Sequence, residues 1–185
     1  LLSNENEFSQ ETRMQIYGDI YDDSMWLIKL VENLLSVTRI EDGRMDLRMS
    51  AELMDEVIAE AMRHTDRNRD GRKIEVSSDE EFILGKMDAR LIVQVVINLV
   101  DNAVKYTPEG AQIRIHTGKK DGMVVVSVSD TGPGIPDEQK SKVFDMFYTG
   151  TNRAADGRRS LGLGLGLCRS IIRAHGGEIW VSDNK

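Results

Sequence analysis

The chain has 185 residues, 40% of them hydrophobic, with 31 acidic and 24 basic residues and a net charge of -7. That length suits one ordinary domain plus an appendage, and the apolar share excludes wholesale disorder. The acidic balance argues against a nucleic-acid binder, which would carry a clustered basic face.

Cys168 is the single cysteine, so no intrachain disulfide or thiolate metal site can form, and a reducing compartment suits the chain. The longest apolar runs, such as Leu91 to Val100, are interrupted by Gln94 and Asn98 and are too short to cross a bilayer. No basic-then-apolar leader opens the chain. A start at Leu1 without Met reads as a piece of a longer protein.

Glu11 to Glu41 reads as one long helix. Ile16, Ile20, Leu27, Leu30, Leu34 and Val37 follow spacings of four and three, with Asp23 the polar interruption. The opposite face is charged, so the stripe reads as one arm of a helical hairpin rather than a helix docked on its own domain. Glu41-Asp42-Gly43 is the stop, with Gly43 suited to a left-handed cap.

Beyond Gly43 the pattern changes. Met45 to Met49 alternates as a short strand, and Ala51 to His64 has helical spacing through Leu53, Val57, Ile58 and Ala61. Asn68 to Gly71 is a polar turn. Lys73 to Ser77 and Phe82 to Met87 read as strands. Ala89 to Tyr106 is a strongly amphipathic helix with Leu91, Val95, Val96, Leu99 and Ala103 on one face, ended by Pro108-Glu109-Gly110.

Gln112 to Thr117 and Met123 to Ser129 alternate as strands around a turn at Lys119 to Gly122. Asp137 to Phe147 follows Pro136 as a short helix, with Phe144 and Phe147 anchoring it to the core. Thr149 to Ser160 reads as a mobile polar loop. Leu165 to His175 is helical, Gly176-Gly177 stops it, and Glu178 to Ser182 opens a last strand. The order is mixed, without the regular alternation of a doubly wound parallel sheet.

Three stretches carry chemistry. On a helix, Asn98 and Asn102 stand four apart and project from one face. Their amide oxygens are hard neutral donors suited to magnesium shared with phosphate. Lys105 adds a point charge within reach of phosphate, and Tyr106 could pack on a flat base. Two Asn on a helix also fit a solvated or capping role.

Asp130 ends a strand and opens Asp130-Thr131-Gly132-Pro133-Gly134. A carboxylate there can accept from the exocyclic amine of adenine, where guanine presents an oxygen. Gly132 and Gly134 let backbone approach a ring. A plain turn fixed by Pro133 is the alternative.

Gly162-Leu163-Gly164-Leu165-Gly166-Leu167 enters a helix, offering backbone N–H groups and the positive end of the helix dipole to phosphate. Tight packing of a helix N-terminus explains the same glycines. A dinucleotide fingerprint fails on context, because that loop should open an alternating α/β chain. Arg153, Arg158 and Arg159 lie in the polar loop, where they could meet phosphate.

These stretches, in this order, resemble the catalytic, ATP-binding domain of sensor histidine kinases. Asn98 to Thr107 is similar to the family's asparagine box, Asp130 to Gly134 to its first glycine box, Phe144 to Phe147 to its phenylalanine box, and Gly162 to Leu167 to its second. The resemblance implies a Bergerat-type α/β (α+β) two-layer sandwich, a mixed sheet with three helices on one face and an ATP lid between the glycine boxes. Residues 44–185 would be that domain, and residues 1–43 the later part of a dimerisation and phosphoacceptor hairpin. Glu11 to Glu41 resembles the second dimerisation helix of the family's potassium-responsive branch.

By resemblance, Asn98, Asn102 and Lys105 would be catalytic, with Asn102 the principal magnesium ligand and Asn98 its support. ATP would meet those three with Tyr106, Asp130, Gly132, Gly134, Ile135, Phe147, Arg153, Gly162, Leu163, Gly164, Leu165, Gly166 and Leu167. Related ATPases carry a Glu at the Asn98 position, and an amide cannot replace it as a base, which agrees with phosphoryl transfer to a side chain.

The family's phosphoacceptor is a His followed by an acidic residue and soon a Pro; His64, His116 and His175 all depart from that pattern. The acceptor would therefore lie before Leu1. The expected partners are a response regulator and a second copy of the chain, with no nucleic acid and no membrane contact by these residues. The expected location is a cytoplasmic domain of a membrane-anchored parent. An ATPase of the same fold and a non-catalytic dimerisation module are the rival readings.

Overall fold

The computed structural model describes residues 9–41, 46–65, 72–150 and 162–184. In chain order the elements are α1 (Gln10–Glu41), β1 (Ser50–Leu53), α2 (Met54–Thr65), β2 (Lys73–Ser78), β3 (Leu84–Met87), α3 (Ala89–Tyr106), β4 (Gln112–Lys120), β5 (Met123–Asp130), α4 (Asp137–Lys140) and α5 (Gly164–Ala174). Gly43, the Asn68 to Gly71 turn, Arg153, Arg158 and Arg159 lie outside the described residues.

One sheet is mixed: β2 runs parallel to β4, and β4 antiparallel to β5. The second is the antiparallel pair β1 and β3, in register from Ser50 opposite Met87 to Leu53 opposite Leu84. It stands beside β5, where Gly85 leaves room for the Val124 side chain. Along β4 the alternation is clean: Ile113, Ile115 and Thr117 are buried while Gln112 and Arg114 are exposed. The buried side meets α2, α3 and α5, whose apolar stripes complete one core.

Helix α3 is the centre of that core. Asp88 caps it from extended backbone, its carboxylate accepting from the Leu91 N–H at 3.4 Å. The Asp88 N–H donates to His175 Nε2 at 3.0 Å, and His175 Nδ1 lies 2.8 Å from the Ile171 carbonyl. With Nε2 accepting from that backbone N–H, Nδ1 is the ring nitrogen turned to the Ile171 carbonyl. The ring ties the C-terminal end of α5 to the start of α3.

Helix α1 is capped by Ser9, whose hydroxyl accepts from the Thr12 N–H at 3.2 Å. It packs against α5, and the buried Asn33 accepts from Gln94 of α3 at 3.2 Å. Ile20, Leu27 and Leu34 of its apolar stripe stay exposed.

Four elements depart from the sequence reading. Of the strand expected at Met45 to Met49, Met45 lies outside the described residues and 46–49 form no strand; the strand is at Ser50 to Leu53, paired with β3, so tertiary pairing overrides helical spacing there and α2 begins at Met54. The Arg48 N–H is drawn instead to the Asp88 carboxylate at 3.1 Å.

The helix expected at Asp137 to Phe147 is regular only to Lys140, and tight turns follow, such as Asp145 N–H to Lys142 O at 2.8 Å. Phe144 is buried, whereas Phe147 is exposed and in the left-handed region at φ 63°, so of the two phenylalanines it is Phe144 that anchors this segment. Lys140 bridges Asp137 at 2.5 Å and Asp183 at 2.6 Å, which raises its pKa, Asp137 being the larger influence.

Glu178 to Ser182 forms no strand. The segment is held by side chains, through the Lys140–Asp183 pair and the Asn184 amide donating to the Asp130 carbonyl at 2.5 Å, rather than by a ladder.

Candidate functional site

Helix α3 crosses the sheet so that its last two turns, the end of β5, the segment after Asp130 and the first turn of α5 surround one cavity. Its volume is about 400 Å³. Of the residues singled out from sequence, Asn102, Tyr106, Asp130, Gly134, Ile135, Gly162, Gly164 and Leu165 line it. The three motifs, separated by tens of residues, therefore converge on one space.

Asp130 sits at the C-terminal end of β5, where the strand stops pairing. Its Oδ1 accepts from the Gly132 N–H at 2.8 Å, which fixes the carboxylate at the cavity wall. Tyr106 ends α3 beside it, and the Lys105 ammonium lies 5.7 Å from the Tyr106 ring centroid, outside the lining.

The second glycine tract divides by role. Gly162 has φ +66°, and a β-carbon on it would overlap the Tyr148 backbone; its carbonyl accepts from the Phe147 N–H at 3.0 Å. Gly164 opens toward the cavity. Gly166 faces away, and a β-carbon on it would stand 2.6 Å from Met146 Sδ, so this glycine serves close packing. Leu163 and Leu167 are buried core residues. Gly132 and Phe147 also lie outside the lining, and Arg153 lies outside the described residues.

Asn98 is one layer deeper than Asn102. It is 6% exposed and outside the lining, and its Nδ2 is buried with no hydrogen-bond partner. Behind it, on α5, lies Cys168, whose thiol burial pushes up to about 12, partly opposed by the Asn98 amide. Among the described residues no group of three His, Cys, Asp or Glu is placed to hold a metal. The donors at this site are neutral amide oxygens, which suit a hard cation that also takes oxygens from its ligand.

Sequence reasoning missed several lining residues. Tyr148, Gln139, Trp180 and Asn184 all border the cavity. None belongs to a motif with a chemical spacing, and only the fold brings the 178–184 segment across from β5.

With this geometry in place, comparison with known proteins gives a class. The model of the family described as histidine kinase-, DNA gyrase B- and HSP90-like ATPase matches residues 87–185, and the chain belongs to that family. ATP is the nucleotide of such a domain.

More particularly, the chain is similar to the Sensor protein KdpD of Clostridium acetobutylicum, 40% identical over 179 residues, which are 97% of this chain. It spans only 20% of that relative. Among solved structures it is similar to the nucleotide-free catalytic domain of histidine kinase ThkA, with TM-score 0.65 and 32% identity over 76% of this chain and 89% of that one. It is also similar to ThkA in complex with response regulator protein TrrA, with TM-score 0.75 and 27% identity over 98% of this chain and 51% of that one. The sequence reading of a sensor histidine kinase ATPase domain is thus borne out, as is its KdpD-like branch. Among the described residues no helix is long and apolar enough to cross a membrane.

Proposed function

We propose that this chain is the ATP-binding core of a two-component sensor histidine kinase, and that its parent transfers the γ-phosphoryl group of ATP to a histidine nitrogen outside these residues. The phosphoryl group would pass next to an aspartate on a response regulator. The observation that carries the reading is the meeting of Asn102, Tyr106, Asp130, Gly134 and Gly164 around one cavity. The similarity to a kinase bound to its response regulator supports the partner.

In this reading Asp130 accepts the adenine amine and Tyr106 packs on the base. Asn102, with Asn98 behind it, presents amide oxygens to magnesium, and Lys105 adds positive charge nearby. Magnesium, when bound, neutralises phosphate charge. The protein's work is positioning and charge compensation. Asn98 has no proton-accepting group, so these residues place no base on a water, which favours transfer to a side chain over rapid hydrolysis.

Residues 1–43 belong, in the same reading, to a dimerisation hairpin, with the exposed apolar residues of α1 covered by helices of a homodimer. The parent is proposed to be membrane-anchored with this part on the cytoplasmic side.

A calorimetric titration with ATP and GTP, with and without magnesium, tests the proposal. Asp130→Ala is expected to weaken ATP binding about 10- to 100-fold, the loss of a charged hydrogen bond, with little change for GTP. Equal affinity of the wild type for both nucleotides, or no effect of Asp130→Ala, refutes the assignment of the base pocket.

A further inference from the structure

A carboxylate selects a base only when its oxygens point the right way, and Asp130 stands where a strand gives way to a turn. One of its oxygens is held by the Gly132 N–H. The turn itself is seated on two neighbours. Thr131 exchanges hydrogen bonds with Gln112 of β4: its N–H donates to the Gln112 carbonyl and its hydroxyl accepts from the Gln112 N–H, both at 3.2 Å. Gly132 rests on Thr107, whose Cγ2 would stand 2.9 Å from a β-carbon added to the glycine.

Thr107 is the residue that caps the C-terminal end of α3. Its backbone is already extended, its hydroxyl donates back to the Ala103 carbonyl at 2.7 Å, and it is 0% exposed. Its own carbonyl is therefore cut off from water and needs a donor from the protein. Arg72 supplies one. The guanidinium of this residue, one position before β2, donates to the Thr107 carbonyl from Nη2 at 2.8 Å and from Nε at 3.3 Å. A cation also suits the negative end of the α3 dipole. The next residue, Lys73, pairs with Gln112, so the start of β2 lies beside both supports of the turn. Arg72, Thr107 and Gly132 all lie outside the cavity lining.

We propose, resting on the reading that Asp130 binds the adenine amine, that Arg72 is a positioning residue for base recognition. Its guanidinium fixes the buried end of α3, Thr107 seats Gly132, and the Gly132 N–H orients the Asp130 carboxylate. Arg72 acts through Asp130 and touches neither nucleotide nor metal.

Three variants test this. Arg72→Met keeps an apolar stem and removes the donors, Arg72→Lys keeps one charged donor, and Thr107→Ser removes Cγ2 while keeping the hydroxyl. The first readout needs no nucleotide. In the ligand-free protein, the Gly132 backbone amide signal should shift in Arg72→Met and Thr107→Ser. In Arg72→Lys it should return toward the wild-type position. The second readout is affinity for ATP and for GTP. Arg72→Met and Thr107→Ser should weaken ATP binding about tenfold, as for one misplaced hydrogen-bonding group, and leave GTP binding unchanged. A merely structural loss would lower both. In an Asp130→Ala background, Arg72→Met should have no further effect on ATP affinity.

An unmoved Gly132 signal in both Arg72→Met and Thr107→Ser, equal losses for ATP and GTP, or a further loss in the Asp130→Ala background would overturn the proposal. So would an Arg72→Lys variant indistinguishable from Arg72→Met. Should Arg72→Met fail to fold, Arg72→Lys and Thr107→Ser decide it by the same signal and the same ratio of affinities. A wild type that binds no nucleotide, or binds ATP and GTP equally, would refute the proposed function or its base pocket, and the Gly132 signal would still decide whether Arg72 holds the turn.

Discussion

Helices α1 and α3 carry the same kind of apolar stripe and meet opposite fates. In α3, Val96 is 1% exposed; in α1, Leu27 is 51% exposed. Both patterns predict a helix with one sticky face. Helix α3 finds its cover within the chain, in α2, α5 and β4. Helix α1 touches α5, meets α3 through Asn33, and leaves Ile20, Leu27 and Leu34 exposed. Periodicity thus shows which face wants burial, and topology alone shows whether this chain supplies the other side. In the proposed reading, the exposed apolar side chains of α1 are the surface that a homodimer would cover.

Substitutions can break or sharpen this contrast. The largest effect is expected on the α3 side: Leu167→Ala, in the fully buried part of α5, should cost about 2–5 kcal/mol of stability in denaturant unfolding, as for other buried leucines. A loss below 1 kcal/mol, on the order expected at the surface, would mean that the α3–α5 layer is not the core.

Next comes Gly162→Ala. The left-handed backbone and the overlap with Tyr148 should cost about 1–3 kcal/mol and lower nucleotide affinity together, since Gly162 also borders the cavity. Unchanged thermal stability and affinity would show that the close approach of residues 148 and 162 is not needed.

A smaller effect is expected from pH. The Cys168 thiol ordinarily titrates near 9.0 and burial raises it to about 12, so between those values the unfolded chain releases a proton that the folded one keeps. Stability should fall as pH rises through that window, and Cys168→Ser should flatten the alkaline limb. Parallel limbs in the two proteins would place the thiol in water. The smallest effect on stability belongs to α1: Leu27→Ser should change it by less than about 0.5 kcal/mol while reducing self-association in sedimentation. A large destabilisation would mean that the Leu27 face of α1 is covered within its own domain.

Legibility followed the same divide. The bounds of α3, Ala89 to Tyr106, were readable because stripe and terminator agree; the Asp88 cap found in the structure fits the same start. β1 was not, since its four residues form a strand only by pairing with β3. The glycine tracts were readable as motifs but not glycine by glycine: Gly164 faces the cavity while Gly166 packs on Met146. Asn98 and Asn102 share a face at a spacing of four, yet the first is buried and the second borders the cavity. A helix that dives under its neighbour creates that depth gradient, and no one-dimensional pattern encodes it. Trp180 and Tyr148 were invisible as lining residues because their places depend on two segments meeting.

The central claim is that amide, carboxylate and glycine groups from three distant segments bind one adenine nucleotide in one cavity. Backbone amide shift mapping on titration with ATP and magnesium tests it most directly. Perturbations should concentrate at Asn102, Asp130, Gly134 and Gly164 and leave the outer residues of α1 unmoved. Changes confined to other surfaces, with those four residues silent, would contradict the account.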